Sequence, residues 1–319
     1  MKKVLVTGSE GFIGRYIVSE LLDNNYYVIG IDNFSKYGWR ETSKHPNFEF
    51  HNHDLRDNVP YFPPFDYLIH TAAMIGGIKM FHERPADIIS QNSLIDGVVL
   101  RETKRMSRLK KFIALSSSMV YENCSIFPSP ETEAGKICPS SSYGFSKLAL
   151  EYSVRAFYEQ YGLPYIIARP FNCIGIGEDD YKELNSHVLP DFVYKALTLK
   201  PTDIFPILGN GKQIRHYTAG KDLARGIRLS MESNIINDDF NLSSSRSTTV
   251  KELATIIWRK IHGTDPLFAC LPSFQYDVQK RIPDTSKAER LLGFKAEIPL
   301  EETIDEVIEY IRSKEHVVR

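Results

Sequence analysis

Tyr143 and Lys147 stand four residues apart where a helical pattern begins, which puts both side chains on one face. A tyrosine hydroxyl has an ordinary pKa of about 10, too high for a general base near neutral pH. A neighbouring ammonium stabilises the phenolate and brings that value toward a working range. Ser117 lies in the cluster Ser116-Ser117-Ser118, straight after the apolar run Phe112–Leu115. If that run is a parallel strand, Ser117 falls at the sheet edge where open α/β folds place their ligands. Base, ammonium and hydroxyl together suit the removal of a proton from a substrate alcohol while hydride leaves its carbon. A YxxxK spacing alone has a second reading, with Tyr143 packed in a core and Lys147 in solvent.

Such chemistry needs a hydride acceptor, and the start of the chain offers a place for one. Thr7-Gly8-Ser9-Glu10-Gly11-Phe12-Ile13-Gly14 follows the apolar run Val4–Val6 and precedes the apolar helix face of Ile17, Leu21 and Leu22. Glycines there allow a tight turn, close approach of backbone to a pyrophosphate, and close helix–strand packing, while the helix N-terminus favours the anion. The spacing is GxxGxxG, and a plain helix-capping loop could use the same glycines. Asp32 strengthens the dinucleotide reading, because it lies 18 residues after Gly14 at the end of the next apolar run. A carboxylate there accepts bonds from both ribose hydroxyls and repels a 2′-phosphate, which favours NAD over NADP. Asp54, after the run Phe48–Phe50, suits either an adenine amino group or a strand-end cap.

Elements of a particular kind must hold these residues together. Short, continuous apolar runs recur at Val4–Val6, Val28–Ile31, Phe48–Phe50, Tyr67–Ile69, Phe112–Leu115 and Tyr165–Ala168. Runs without alternation fit strands buried on both faces, and strand–helix repetition implies an α/β, Rossmann-type, doubly wound parallel sheet. Helical spacing is expected over Ser146–Tyr161, Pro190–Leu197, Val250–Ile261 and Leu300–Ile311. The NAD-binding domain is expected over 1–172 plus parts of 216–245, with a smaller substrate-binding lobe from 173–215 and 246–319. Lys plus Arg (39) nearly cancel Asp plus Glu (40), so the basic footprint of a nucleic-acid binder is missing. No apolar run approaches the roughly 20 residues of a membrane span, and no signal peptide precedes the first run. The four cysteines show no metal-ligand spacing, so no metal is expected and reduced thiols in a cytoplasmic protein are the simpler reading.

With these motifs in place, the chain resembles the extended short-chain dehydrogenase/reductase superfamily, in its NAD-dependent nucleotide-sugar epimerase/dehydratase branch. VTGSEGFIG, IDN, the DL at 54–55, HTAA, SSSMVY, YGFSK, RPFN, GNGKQIRHY, FNLS and RIPDTSKAERLLGF follow one another in that family's order across the whole chain. The resemblance implies a catalytic set of Ser117, Tyr143 and Lys147. It implies NAD contacts through Gly8, Gly11, Phe12, Ile13, Gly14, Asp32, Asn33, Asp54, Leu55, Ala72 and Lys147. It implies that Arg169 to Asn172 runs past the nicotinamide and sugar phosphates, with Ser117, Asn172 and His187 at the substrate and Arg215 and Arg281 at its diphosphate. Arg281 also reads as a surface cation before a helix capped at Asp284 or Ser286. A nucleoside-diphosphate sugar is the implied substrate, and a homodimer the implied assembly.

The reaction is narrowed by one side chain. Members that eliminate water or carboxylate usually carry an acid two residues before the closing tyrosine of the SSSMVY segment; counted from Tyr121, that position holds Met119. Members that epimerise at C3 and C5 resemble the chain at Gly76-Gly77-Ile78 but place a cysteine at position 119. One of them, GDP-fucose synthase, also matches Ser186–Pro190, which leaves a GDP-sugar among the candidates. His187 could be an acid/base partner, a phosphate contact or a helix-start residue. What remains is redox at one carbinol, expected at C4. The ketone either takes hydride back on its other face, giving a 4-epimerase, or departs, giving a 4-dehydrogenase or 4-ketoreductase. A non-catalytic NAD sensor is the remote alternative, and such proteins tend to lose the tyrosine or lysine.

Overall fold

The computed structural model describes residues 1–62, 64–178, 186–273 and 277–315. The first half runs β1 (Lys3–Thr7), α1 (Phe12–Asp23), β2 (Tyr27–Asp32), β3 (Phe48–Asn52), β4 (Tyr67–His70), α2 (Ile78–Glu83), α3 (Pro85–Thr103), β5 (Lys111–Leu115), α4 (Ser142–Tyr161) and β6 (Tyr165–Pro170). The second runs β7 (Cys173–Ile174), α5 (Val188–Thr198), β8 (Ile204–Leu208), β9 (Ile214–Arg215), β10 (Thr218–Ala219), α6 (Gly220–Glu232), β11 (Asp238–Leu242), β12 (Thr248–Thr249), α7 (Val250–His262), β13 (Leu267–Leu271), α8 (Ser286–Leu292) and α9 (Leu300–Glu315).

Strands that are apolar throughout can only sit inside a layered fold, and β5 and β6 are buried at every position. They belong to a seven-stranded sheet of order β11-β6-β5-β4-β1-β2-β3, parallel at every pairing. One face packs Val4, Val6 and Phe240 against Ile17 and Leu21 of α1 and Leu223 and Ile227 of α6. The other packs Leu5, Ile29 and Phe112 against Val99 of α3 and Leu150 and Val154 of α4. A separate core joins α5, α7 and α9 around Phe205 and Trp258. Strand order reverses between β1 and β4, the switch point where such sheets open a ligand crevice.

Helix boundaries follow caps more than apolar spacing. Helix α4 starts a turn before the expected Ser146, because the Ser141 hydroxyl accepts from Gly144 N at 3.1 Å and caps it there. This places Tyr143 in the first turn. It ends at Gly162, whose φ of 70° suits glycine at a helix end. Helix α3 leaves little apolar periodicity in the sequence, since two of its inward positions are Asn92 and Asp96. Both are buried with partners: Asn92 with Met74 and Ser146, Asp96 with His70. Among the described residues, no helix is long and apolar enough to cross a membrane.

Candidate active site

A cleft of 1170 Å³ opens along the carboxyl ends of β1, β2, β4, β5 and β6. Its first wall is the turn from β1 into α1. Gly8 has φ 69°, and a Cβ there would press on Ala72 N at 2.8 Å. A Cβ on Gly14 would overlap the Gly8 carbonyl, and one on Gly11 would meet the same oxygen at 3.1 Å. The cradle therefore exists only without side chains, which is what a pyrophosphate resting on backbone N–H groups requires. Phe12 stacks edge-on against Tyr16 at 5.6 Å, and Ile13, in the first turn of α1, packs partly buried against the core.

The end of the cleft beside β2 is organised by Asp32. Its carboxylate accepts from Glu10 N at 3.0 Å and Phe34 N at 2.8 Å. Burial pushes its pKa up, and those backbone N–H groups pull it back. Asn33 donates to Asp54 at 3.1 Å, and Leu55 is buried below. Asp54 grips Arg56, accepting from its backbone N at 2.9 Å and its Nε at 2.8 Å; this holds the carboxyl well below the usual range. Of the two readings of Asp54, the strand-end cap is directly visible. Ala72 N lies 3.3 Å from the Thr7 hydroxyl, which in turn bonds His70.

Glu10 is a residue of this wall that sequence reasoning missed. It is 5% exposed, its Oε2 has no hydrogen-bond partner, and Arg15 lies 3.9 Å away. Burial pushes its carboxyl up to about 7, with Asp32 adding to the rise and Arg15 and Arg40 opposing it. The available signal was an acid inside a turn built for an anion.

At the centre of the cleft stand Ser117, Tyr143 and Lys147, all less than a tenth exposed. The solvated-lysine reading of YxxxK therefore fails. Lys147 Nζ donates to Leu115 O at 3.0 Å and lies 6.0 Å from the centre of the Tyr143 ring. Burial pushes the lysine down and the phenol up; the Ser117 hydroxyl and Arg281 pull the phenol down, and Asp96 pushes it up. Ser117 Oγ caps the turn at Ser118–Tyr121 by accepting from Met119 N at 3.2 Å. Glu151, two turns along α4 from Tyr143, accepts from Ser116 Oγ at 2.6 Å and forks with Arg169 at 2.7 Å on both arms. Arg169 is 0% exposed and its side chain lies behind the site; of the segment Arg169 to Asn172, expected to run past the nicotinamide and sugar phosphates, Pro170 and Asn172 line the cleft.

The far wall comes from distant segments. Asn172, at φ 36°, donates to His216 O at 3.3 Å. His187 is the residue before α5, and its Nδ1 meets the buried carboxylate of Glu178. The helix-start reading of His187 is thus visible, and it also lines the cleft. Arg215 donates to Ile214 O at 2.9 Å and pairs with Asp277 at 3.3 Å. Burial, then the charge of Arg215, pushes Arg281 down to about 9. Gln213 Oε1, Tyr217 OH and Arg281 Nε are buried without hydrogen-bond partners. The carboxylates of Asp277 and Glu122 act on this pair of guanidiniums, yet Arg281 Nε stays without a partner. An anion with several oxygens would satisfy it. Arg281 is accordingly no plain surface cation.

A glycine turn, an acid at the end of β2 and a buried tyrosine–lysine pair are what a dinucleotide-dependent enzyme needs, and comparison with known proteins agrees. Residues 4–243 match the model of the NAD dependent epimerase/dehydratase family. UDP-glucuronic acid decarboxylase 1 of Danio rerio is 29% identical, over 99% of this chain and 74% of the relative. Among solved structures, UDP-glucose 4-epimerase of Thermotoga maritima shares 31% identity with a TM-score of 0.83, covering 98% of this chain and 99% of that one. UDP-N-acetylglucosamine 4-epimerase of Methanobrevibacter ruminantium shares 29% with a TM-score of 0.85 and the same coverage. The chain belongs to the NAD-dependent epimerase/dehydratase family, as an NAD-dependent enzyme of the extended short-chain dehydrogenase/reductase type.

Proposed function

We propose that the protein is a nucleotide-sugar 4-epimerase that oxidises a sugar hydroxyl transiently to a 4-ketone and reduces it again. Tyr143 takes the hydroxyl proton, Ser117 holds the same oxygen, and Lys147 favours the phenolate. Bound NAD supplies the hydride acceptor and donor, and its positive ring adds the charge that Tyr143, raised by burial, needs to ionise. Gly8, Gly11, Phe12, Ile13 and Gly14 would cradle its pyrophosphate, Asp32 with Asn33 its adenosine ribose, and Asp54, Leu55 and Ala72 the rest of that wall. Arg215, Arg281 and Asn172 would hold the substrate diphosphate, with His187 beside them. The single observation that carries the sugar-nucleotide half is the set of orphaned polar atoms on Gln213, Tyr217 and Arg281.

Met119 supports redox over elimination. Its thioether, buried beside Tyr143, cannot transfer protons, whereas water or carboxylate loss calls for an acid there. The similarity to 4-epimerases favours return of the hydride, and similarity to a decarboxylase leaves that preference open to challenge. A 4-dehydrogenase or 4-ketoreductase is the second reading, favoured if the ketone leaves. Denaturing the purified protein and identifying the released nucleotide separates the two. Stoichiometric NAD is expected of the epimerase; an empty site that turns over added NAD would overturn that reading in favour of the dehydrogenase.

A further inference from the structure

The two ends of the substrate side of the cleft differ in kind. Around the diphosphate end stand Gln213, Arg215, Tyr217 and Arg281, rich in unsatisfied donors and acceptors. Around Tyr143 the wall is apolar: buried Met119 packs with Met74, Ile75, Met80 and Phe81, all of which line the cleft. The Phe81 ring lies parallel to Tyr143, 5.0 Å away and tilted by 9°. Gly76 has no side chain, and a Cβ there would strike the Met80 thioether. The bare Cα leaves the Met80 side chain room to pack over Gly76.

Backbone polar groups on this wall are already engaged. Met74 N and O bond the Asn92 amide at 2.7 and 3.2 Å, and Met80 N bonds Gly77 O at 3.0 Å. Met119 N is used by Ser117, and its carbonyl by Glu122 N at 3.1 Å. Two cations on and just after α2 have carboxylate partners, Lys79 with Glu83 at 3.4 Å and Arg84 with Asp87 at 2.8 Å. A hydroxyl pressed against the patch of Met74, Met80, Phe81 and Met119 loses water and meets thioethers and a phenyl ring there, while the polar side chains of the cleft, Ser117 among them, stand outside that patch. A carboxylate loses more. A methyl group gains both burial and dispersion contacts.

We propose that the sugar is a 6-deoxyhexose: the carbon beside the reacting one bears a methyl group, which seats against Met74, Met80, Phe81 and Met119. A hydrogen alone on that carbon, as in a pentose, would leave these long side chains without contact. This inference rests on Tyr143 facing the reacting hydroxyl. Because a hydrophobic pocket rejects an added hydroxyl only weakly, the preference is bounded at about 10–100-fold.

The test compares hexose and 6-deoxyhexose on the same nucleotide, with UDP, GDP and dTDP in turn, by kcat/KM. The 6-deoxy compound is expected to lead by about 10–100-fold on the best nucleotide. Met119→Thr and Met80→Gln should each narrow that ratio. Equal or inverted preference on every nucleotide overturns the proposal, as does a ratio unmoved by both substitutions. Calorimetric binding to Tyr143→Phe reads the same preference without turnover. Tighter 6-deoxyhexose binding there, with no turnover in the parent enzyme, would sink the hydride-transfer reading and leave the sugar assignment standing. Equal binding of the two sugars would sink the assignment itself.

Discussion

The two walls of the cleft are built from different materials. The cofactor wall is largely backbone: a turn emptied of side chains at Gly8, Gly11 and Gly14, with Asp32 closing its own hydrogen bonds to Glu10 N and Phe34 N. The substrate wall is largely side chain, and at Gln213, Tyr217 and Arg281 it is left unsatisfied. A backbone cradle fixes what binds by shape and tolerates no added atom. A side-chain cradle fixes it by charge, and its cost of burial is recovered only when the anion arrives.

The largest effect should come from crowding the backbone wall. Gly14→Ala drives a methyl into the Gly8 carbonyl. NAD affinity is expected to fall by at least about 100-fold, near 2.7 kcal/mol, in a fluorescence titration. Parent-like affinity would mean that the turn is not the cradle described.

Next in size is loss of one charge from the opposite wall. Arg281→Ala should weaken nucleotide-sugar binding by about 10–100-fold, the worth of a charge-assisted hydrogen bond, and leave NAD binding within about 3-fold. If both ligands weaken alike, the two walls are not separate binding surfaces.

How much of this was readable from sequence follows the same division. Three glycines, Asp32 and the strand-end serines sit at spacings dictated by local backbone geometry, so the turn, its neighbouring acid and the sheet were legible. Arg215 and Arg281 are 66 positions apart in the chain, and only their resemblance to a family motif drew them together. The apolar patch beside Tyr143 was not visible, because Met74 in a loop and Met80 and Phe81 on the six-residue α2 carry no periodic signal. The part Arg169 plays was not legible either, because Glu151, which holds its guanidinium, lies 18 residues earlier on α4.

The smallest effect tests Glu10, the exception on the cofactor wall. Its carboxyl is raised from 4.5 to about 7 by burial, so the folded state holds a proton that the unfolded chain releases. The stabilisation is fully present below 4.5 and is lost as pH rises through about 7. Glu10→Gln cannot lose it, so its Tm should exceed the parent's by a few degrees near pH 8, with a flatter profile between ~pH 5 and ~pH 8. Identical pH slopes in the two proteins would remove Glu10 from this role.

Between the two walls stands the residue on which the chemistry rests. The most direct measurement is single-turnover cofactor reduction by the Tyr143→Phe enzyme, with NAD and nucleotide-sugar binding measured alongside. The variant should bind both ligands within about 3-fold of the parent and reduce the cofactor slower by roughly 10²–10⁴-fold, the contribution of a positioned general base. Unchanged reduction with intact binding would contradict a site in which Tyr143 takes the proton.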